Sequence, residues 1–173
     1  MNAWKMFNEE DDDFFIEEAL NYLVKEQDVA GIFNLAAHYY KLECYDLALK
    51  YYEMAANLGD TNAITYIGDI WLNGYVGKVD YEKAYSCYSS NAAHNALSKI
   101  RIADMYRDGC YVEQDYDKYC SIIGELYERF LQGSYLYIAV PEILSRMAGI
   151  FEKKGNHAKA SQLLKEAKDW LNE

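Results

Sequence analysis

One proline, Pro141, occurs in 173 residues, and no stretch is rich in glycine or serine, so nothing in the chain reads as a flexible linker between separate domains. One domain is expected. No apolar run has the length of a membrane span, and Met1 to Phe7 carries one lysine and runs straight into acid, without the apolar stretch of a secretory signal. A cytoplasmic location follows as the expectation. The four cysteines, Cys44, Cys87, Cys110 and Cys120, have no CxxC spacing and lack the density of a disulfide scaffold, so they read as small apolar packing residues. Catalytic patterns are missing too: there is no HExxH, no GxSxG, no phosphate-binding loop and no dinucleotide glycine fingerprint. His38, His94 and His157 stand far apart without metal-ligand spacing. A non-catalytic protein with no cofactor and no metal is therefore expected.

What is abundant is tyrosine and acid. Eighteen tyrosines supply much of the 51% hydrophobic content, which is too high for a disordered chain. A tyrosine buries its ring and keeps its hydroxyl wet, which suits half-buried helix faces and contact surfaces alike. The net charge is -11, and nine acids between Glu9 and Asp28 against Lys25 supply -8 of it. Such a balance repels phosphate backbones and anionic lipid, so neither nucleic acid nor membrane is expected as a partner. The acid run serves as a solvated helix start, since carboxylates stabilise a positive N-terminus. It also offers Asp11, Asp12, Asp13 and Glu17 as an acidic contact for a basic partner protein.

The chain is organised around Thr61 to Glu128, where one pattern is written twice. GDIWLNGYVGKVDYEKAY from Gly68 returns as ADMYRDGCYVEQDYDKYC from Ala103. The offset is 35 residues throughout, pairing Trp71 with Tyr106, Gly74 with Gly109, Asp80 with Asp115 and Lys83 with Lys118. A fixed period of this size marks stacked helical hairpins. Residues 1–28 are expected to form an acidic N-terminal cap. In it the run from Phe14 to Lys25 places Ile16, Ala19, Leu20 and Leu23 on one helical stripe, with Asp13 as its cap. Repeats follow over about 29–60, 61–95, 96–130 and 141–173.

Each repeat carries a packing lattice. In repeat one Ile32, Leu35, Ala36 and Tyr39 face Ala48, Tyr52 and Ala55, with small residues where two helices approach closely and large ones in the grooves beside them. The corresponding core residues are Ile64, Ile67, Gly68 and Trp71 in repeat two, and Lys99, Ile102, Ala103 and Tyr106 in repeat three. Repeat four has Leu144, Met147, Ala148 and Phe151 against Ala160, Leu164 and Ala167. Lys99 is expected at a packing edge, with its amine reaching water. Gly74 and Gly109 should close first helices, Asp28, Asp80 and Asp115 should cap helix starts, and Pro141 should open a helix. Phe130 to Val140, an irregular apolar connector, is expected to be largely buried.

Repeats two and three resemble Sel-like repeats, and repeats one and four are similar to tetratricopeptide repeats, over about Val29 to Asp169. Tyr119 stands where the family favours alanine, and the cysteine pairs of its disulfide-linked members are missing. The resemblance implies an all-α fold, an α-α superhelix: a right-handed solenoid of about four helix-turn-helix repeats with an N-terminal capping helix. It also implies a role in protein-protein contacts. In stacked hairpins the first helices line a concave face. The residues expected to contact a partner there are Phe33, Ala37, Tyr40, Asn62, Thr65, Asp69, Leu72, Asp104 and Arg107. Ala30, Leu97, Ile100, Glu142, Ser145, Gly149 and Glu152 share that register. Phe33 and Tyr40 are suited to anchor a side chain, and Asp69 and Asp104 to receive a basic group.

Three functions fit. The first is an adaptor or scaffold holding a partner protein or peptide, and the second an acidic inhibitor or immunity-type protein that neutralises a basic toxin or enzyme. The third is a structural protein that assembles with copies of itself through exposed solenoid ends, as a homo-oligomer.

Overall fold

The computed structural model describes residues 22–26, 28–133 and 137–172, and all regular structure among them is helical. Among the described residues, eight helices follow the helical residues 22–25: α1 (Val29–Lys41), α2 (Tyr45–Asn57), α3 (Thr61–Asn73), α4 (Tyr81–Asn91), α5 (Ala96–Asp108), α6 (Tyr116–Leu131), α7 (Val140–Lys153) and α8 (His157–Trp170). A 3-10 turn, Tyr137–Ala139, precedes α7. Most helix starts are written in the sequence as Asp or Asn. Asp28 accepts from the Gly31 N–H, Asp60 from Asn62 and Ala63, Asp80 from Lys83, Asn95 from Ser98, Asp115 from Lys118 and Asn156 from Lys159. Each bond satisfies an amide that has no partner within its own helix. Proline enters one residue later than expected: α7 begins at Val140, with Pro141 still inside the first turn, where its missing N–H costs nothing.

The chain divides into two compact units, residues 1–87 and 88–173, with the division inside α4. The core of unit 1 contains Ile32, Leu35, Ala36, Tyr39, Ala48, Tyr52 and Ala55, the complete lattice read for repeat one, together with Leu23, Tyr51, Ala63 and Ile70. In unit 2, α5 and α6 bring Ile100, Ala103, Ile123 and Leu126 against Leu144, Met147 and Ala148 of α7 and Leu163 of α8. Of the expected N-terminal helix, residues 22–25 are helical and Leu23 is buried. Ile16, Ala19, Leu20 and the proposed acidic contacts Asp11, Asp12, Asp13 and Glu17 lie outside the described residues.

Several packing expectations are corrected, and Ile102 and Phe151, expected in the cores of repeats three and four, are only half-buried. Ile64, Ile67 and Trp71 are only half-buried, while Ala63, Thr65, Asp69 and Ile70 are buried beside the expected Gly68. The buried side of α3 is wider than a single stripe and is turned by about one residue, which leaves the Trp71 ring at the mouth of its hairpin. Tyr106, expected in the core of repeat three, is likewise half-buried at the mouth of its hairpin. In α8 the core position is filled by Leu163, in line with Ala160 and Ala167, and Leu164 is 47% exposed because that helix packs on α7 by one side. The connector is divided: Ala139 and Val140 are buried, whereas Leu131 and Ile138 are 58% and 69% exposed. Lys99 does sit at an edge, half-buried, with its Nζ on the Glu125 carboxylate.

Candidate interaction surface

The pattern written twice builds the same clamp twice. The Asp80 N–H donates to the Trp71 carbonyl at 3.0 Å, its carboxylate accepts from the Lys83 N–H at 3.0 Å, and the Lys83 Nζ lies 3.8 Å from the Trp71 ring centre. Thirty-five residues later the Asp115 N–H donates to the Tyr106 carbonyl at 2.8 Å, the carboxylate accepts from Lys118 N–H at 2.8 Å, and the Lys118 Nζ lies 4.1 Å from the Tyr106 ring. Gly74 and Gly109 end the first helices in the left-handed conformation, with φ of 67° and 70°. Gly74 is the more constrained, because a Cβ there would stand 2.7 Å from the Val79 backbone nitrogen. The repeated motif therefore closes hairpins. The contact surface must be sought on the first helices.

In unit 1 that surface is aromatic. Phe33, Ala37 and Tyr40 are half-buried along one side of α1. Phe33 meets Tyr52 and Tyr66 at 5.4 and 5.6 Å between ring centres, and Tyr52 stacks on Tyr66 at 5.1 Å. Tyr40 sits at the centre, with its edge contacts to Tyr45, Tyr52, Tyr66 and Tyr75 all between 5.4 and 6.4 Å. Tyr75, on the loop after α3, stacks on Tyr45 at 4.1 Å. Offset and edge-to-face pairs of this kind add to what burial alone contributes. Asp69 is only 9% exposed beneath them and Thr65 only 1%, so Thr65 is a packing residue beneath the surface. Asn62 and Leu72 are half-buried on α3. Burial, followed by the neighbouring Tyr75 and Asp69, pushes the Tyr40 hydroxyl well above the ordinary tyrosine range. Burial, then Tyr66, Tyr40 and Asp69, does the same to Tyr52. Tyr52 has a further peculiarity: its hydroxyl is buried without a hydrogen-bond partner among the described residues.

In unit 2 the corresponding surface is ionic. Asp104 accepts from Arg146 through Nε at 3.0 Å and through Nη2, and from the Arg107 Nη1 at 2.9 Å. Arg107 also holds Asp108 through two bonds of 2.7 Å and lies over the Tyr119 ring. Glu142 receives Arg101 and Arg146. Burial raises Glu142, but Arg101 and then Arg146 outweigh it and hold the carboxyl below its usual range. The hydrogen bond from Arg107 holds Asp108 low in the same way. Asp104 and Arg107 thus already satisfy each other and their neighbours. Leu97 and Ile100 belong to the core, and Ser145, Gly149 and Glu152 are exposed.

Of the residues read from sequence, Phe33, Ala37, Tyr40 and Asp69 lie with the aromatic face and Asp104 and Arg107 with the ionic one, while Asn62, Thr65 and Leu72 are placed with neither. Sequence reasoning missed Tyr66, Arg101 and Arg146, and a signal for them exists. All three hold the sixth place of their repeats, counted from Thr61, Ala96 and Pro141. Among the described residues no group of three or more His, Cys, Asp or Glu is placed to hold a metal ion, and no helix is long and apolar enough to cross a membrane.

Comparison with known proteins bears on the fold. No protein-family model matches the chain. A segment of 77 residues is 36% identical to protein sel-1 homolog 2 of Homo sapiens, covering 43% of this chain and 11% of that protein. The protein of the same name from Rattus norvegicus matches to the same extent. The chain therefore spans only a small part of these relatives' length. A Sel1 repeat protein from Oxalobacter formigenes, known from its crystal structure, superposes with a TM-score of 0.66 at 17% identity over 88% of this chain and 62% of that one. The sequence motifs, the all-helical hairpins and these likenesses agree: in fold, the chain is a Sel-like helical repeat protein.

Proposed function

We propose that the chain is a non-catalytic, cytoplasmic interaction module, an adaptor or scaffold that holds a partner protein or peptide on the first-helix face. In this reading residues 29–173 are the repeat domain and residues 1–28 its acidic cap. The observation that carries the reading is the aromatic face of unit 1, where Phe33 and Tyr40 remain half-exposed within a cluster of six rings. Aromatic anchors with a polar tip are the side chains that dominate binding at protein interfaces. Sel-like repeat folds in general serve as protein-protein scaffolds, which supports the same choice. The test is affinity capture from the native host lysate by the wild type and by a Phe33→Ala, Tyr40→Ala variant, at low and high salt. A partner lost from the variant and resistant to salt supports the reading. A partner bound equally by both overturns it.

The concentration of charge in Glu9 to Asp28 favours a second reading, an inhibitor of a basic toxin or enzyme. It predicts one basic partner that is released by salt and lost when Asp11, Asp12 and Asp13 are changed to asparagine. Self-assembly, the third reading, predicts a particle heavier than 20.0 kDa without any partner.

A further inference from the structure

The aromatic face of unit 1 contains a polar group that the fold leaves unused. The Tyr52 hydroxyl is buried and, among the described residues, has no hydrogen-bond partner, although the ring around it is fully packed. Folding has removed this group from water without giving it a partner, which costs stability unless something else supplies one. Its surroundings define what that would be. Tyr66 stacks on the ring, Tyr40 and Phe33 meet it at an angle, and Asp69, three residues after Tyr66 on α3, is only 9% exposed.

Tyrosine faces carry negative potential, and so does Asp69, so the cluster attracts a cation and repels an anion. Among cationic side chains a guanidinium fits better than an ammonium. It is planar and weakly hydrated, it stacks on aromatic rings, and its five donors reach a carboxylate and a phenol oxygen together. An ammonium is a strongly hydrated point charge that gives up more on entry.

We propose that Tyr40, Tyr52 and Asp69 form a subsite for an arginine side chain of the partner, which stacks on the tyrosine rings and donates to Asp69 and to the Tyr52 hydroxyl. Tyr75 is the ring that yields, being 40% exposed on a loop and touching Tyr40 only by an edge contact of 5.9 Å between ring centres. This rests on the first-helix face being the partner surface, and adds the chemistry that the face selects.

The test is an amide NMR titration of the full chain with Ac-Ala-Arg-Ala-NH2, beside peptides carrying lysine, norleucine or glutamate at the centre. The arginine peptide is expected to shift amides of α1 and α3, and to bind more tightly than the lysine peptide. Asp69→Asn should weaken it by about tenfold or more, and Tyr52→Phe by about threefold even though that variant folds at least as stably. Tyr52→Phe keeps the test decisive if Asp69→Asn fails to fold. The proposal is overturned if norleucine shifts the same amides as strongly, if both variants bind as the wild type does, or if no peptide moves α1 and α3. Norleucine binding that disappears in the Phe33→Ala, Tyr40→Ala variant would remove the arginine subsite and keep the partner face. Lysate capture that ignores those two residues would remove the face itself.

Discussion

Units 1 and 2 solve the same structural problem with opposite chemistry. In unit 1 the first helices α1 and α3 meet through rings, Phe33 and Tyr40 against Tyr66. In unit 2 the first helices α5 and α7 meet through charges, Asp104 against Arg146 and Arg101 against Glu142. The hairpins set the backbone in both, so the side chains along the first helices are free to differ. Paired charges satisfy each other and leave little to offer a ligand. Packed rings keep exposed edges and, among the described residues, the unpaired Tyr52 hydroxyl, so the aromatic unit is the better candidate for binding.

The largest expected effect separates the two clamps that look alike. Gly74→Ala should destabilise by about 3 kcal/mol and Gly109→Ala by about 1 to 2, measured by urea unfolding, because both strain a left-handed backbone but only the first drives a Cβ onto a backbone nitrogen. Equal losses would mean that the Gly74–Val79 approach relaxes without cost.

Removing charge from the ionic seam comes next. Arg146→Ala should cost about 2 kcal/mol, since it takes one partner each from Asp104 and Glu142. Acid should attack this seam selectively. Glu142 is held below its ordinary 4.5 in the folded chain, so its stabilisation is complete above that pH and is lost as the pH falls through the lower folded value. Base should attack the other unit. Tyr40 and Tyr52 are held above their ordinary 10.0, so their stabilisation is complete below pH 10 and declines as the pH rises from there. Amide exchange resolved by helix should show α5 and α7 loosening first in acid, and α1 and α3 first in alkali. The reverse order would contradict the comparison.

Smaller effects sharpen it. Tyr52→Phe should stabilise by up to about 1 kcal/mol, contrary to the usual loss on removing a tyrosine hydroxyl, because no hydrogen bond is broken. Lys83→Met and Lys118→Met should each cost about 0.5 to 1 kcal/mol, the worth of an exposed cation over a ring. Thermal unfolding of each variant checks both.

Much of this was legible in the sequence, and the limits have physical causes. Helix starts were readable because Asp28, Asp80 and Asp115 each act through a local bond three residues ahead. The core of repeat one was readable because Ile32, Leu35, Ala36 and Tyr39 form a strict helical stripe. Repeat two was misread by one residue, since α3 is buried on more than one side and periodicity then stops marking a single face. Leu164 misled for the converse reason, as α8 packs by one side and Leu163 fills the core. In the candidate site, Phe33, Tyr40 and Asp69 came from register alone. Tyr66, Arg101 and Arg146 did not, because contacts between neighbouring first helices link residues 26 to 42 positions apart and leave no local trace.

The most direct test of the account is hydrogen exchange on the captured complex, compared with the free chain. Protection concentrated in α1 and α3, around Phe33, Tyr40 and Asp69, is the predicted result. Protection confined to α7 and α8, with α1 and α3 exchanging as in the free chain, would contradict the assignment of the aromatic face as the partner surface.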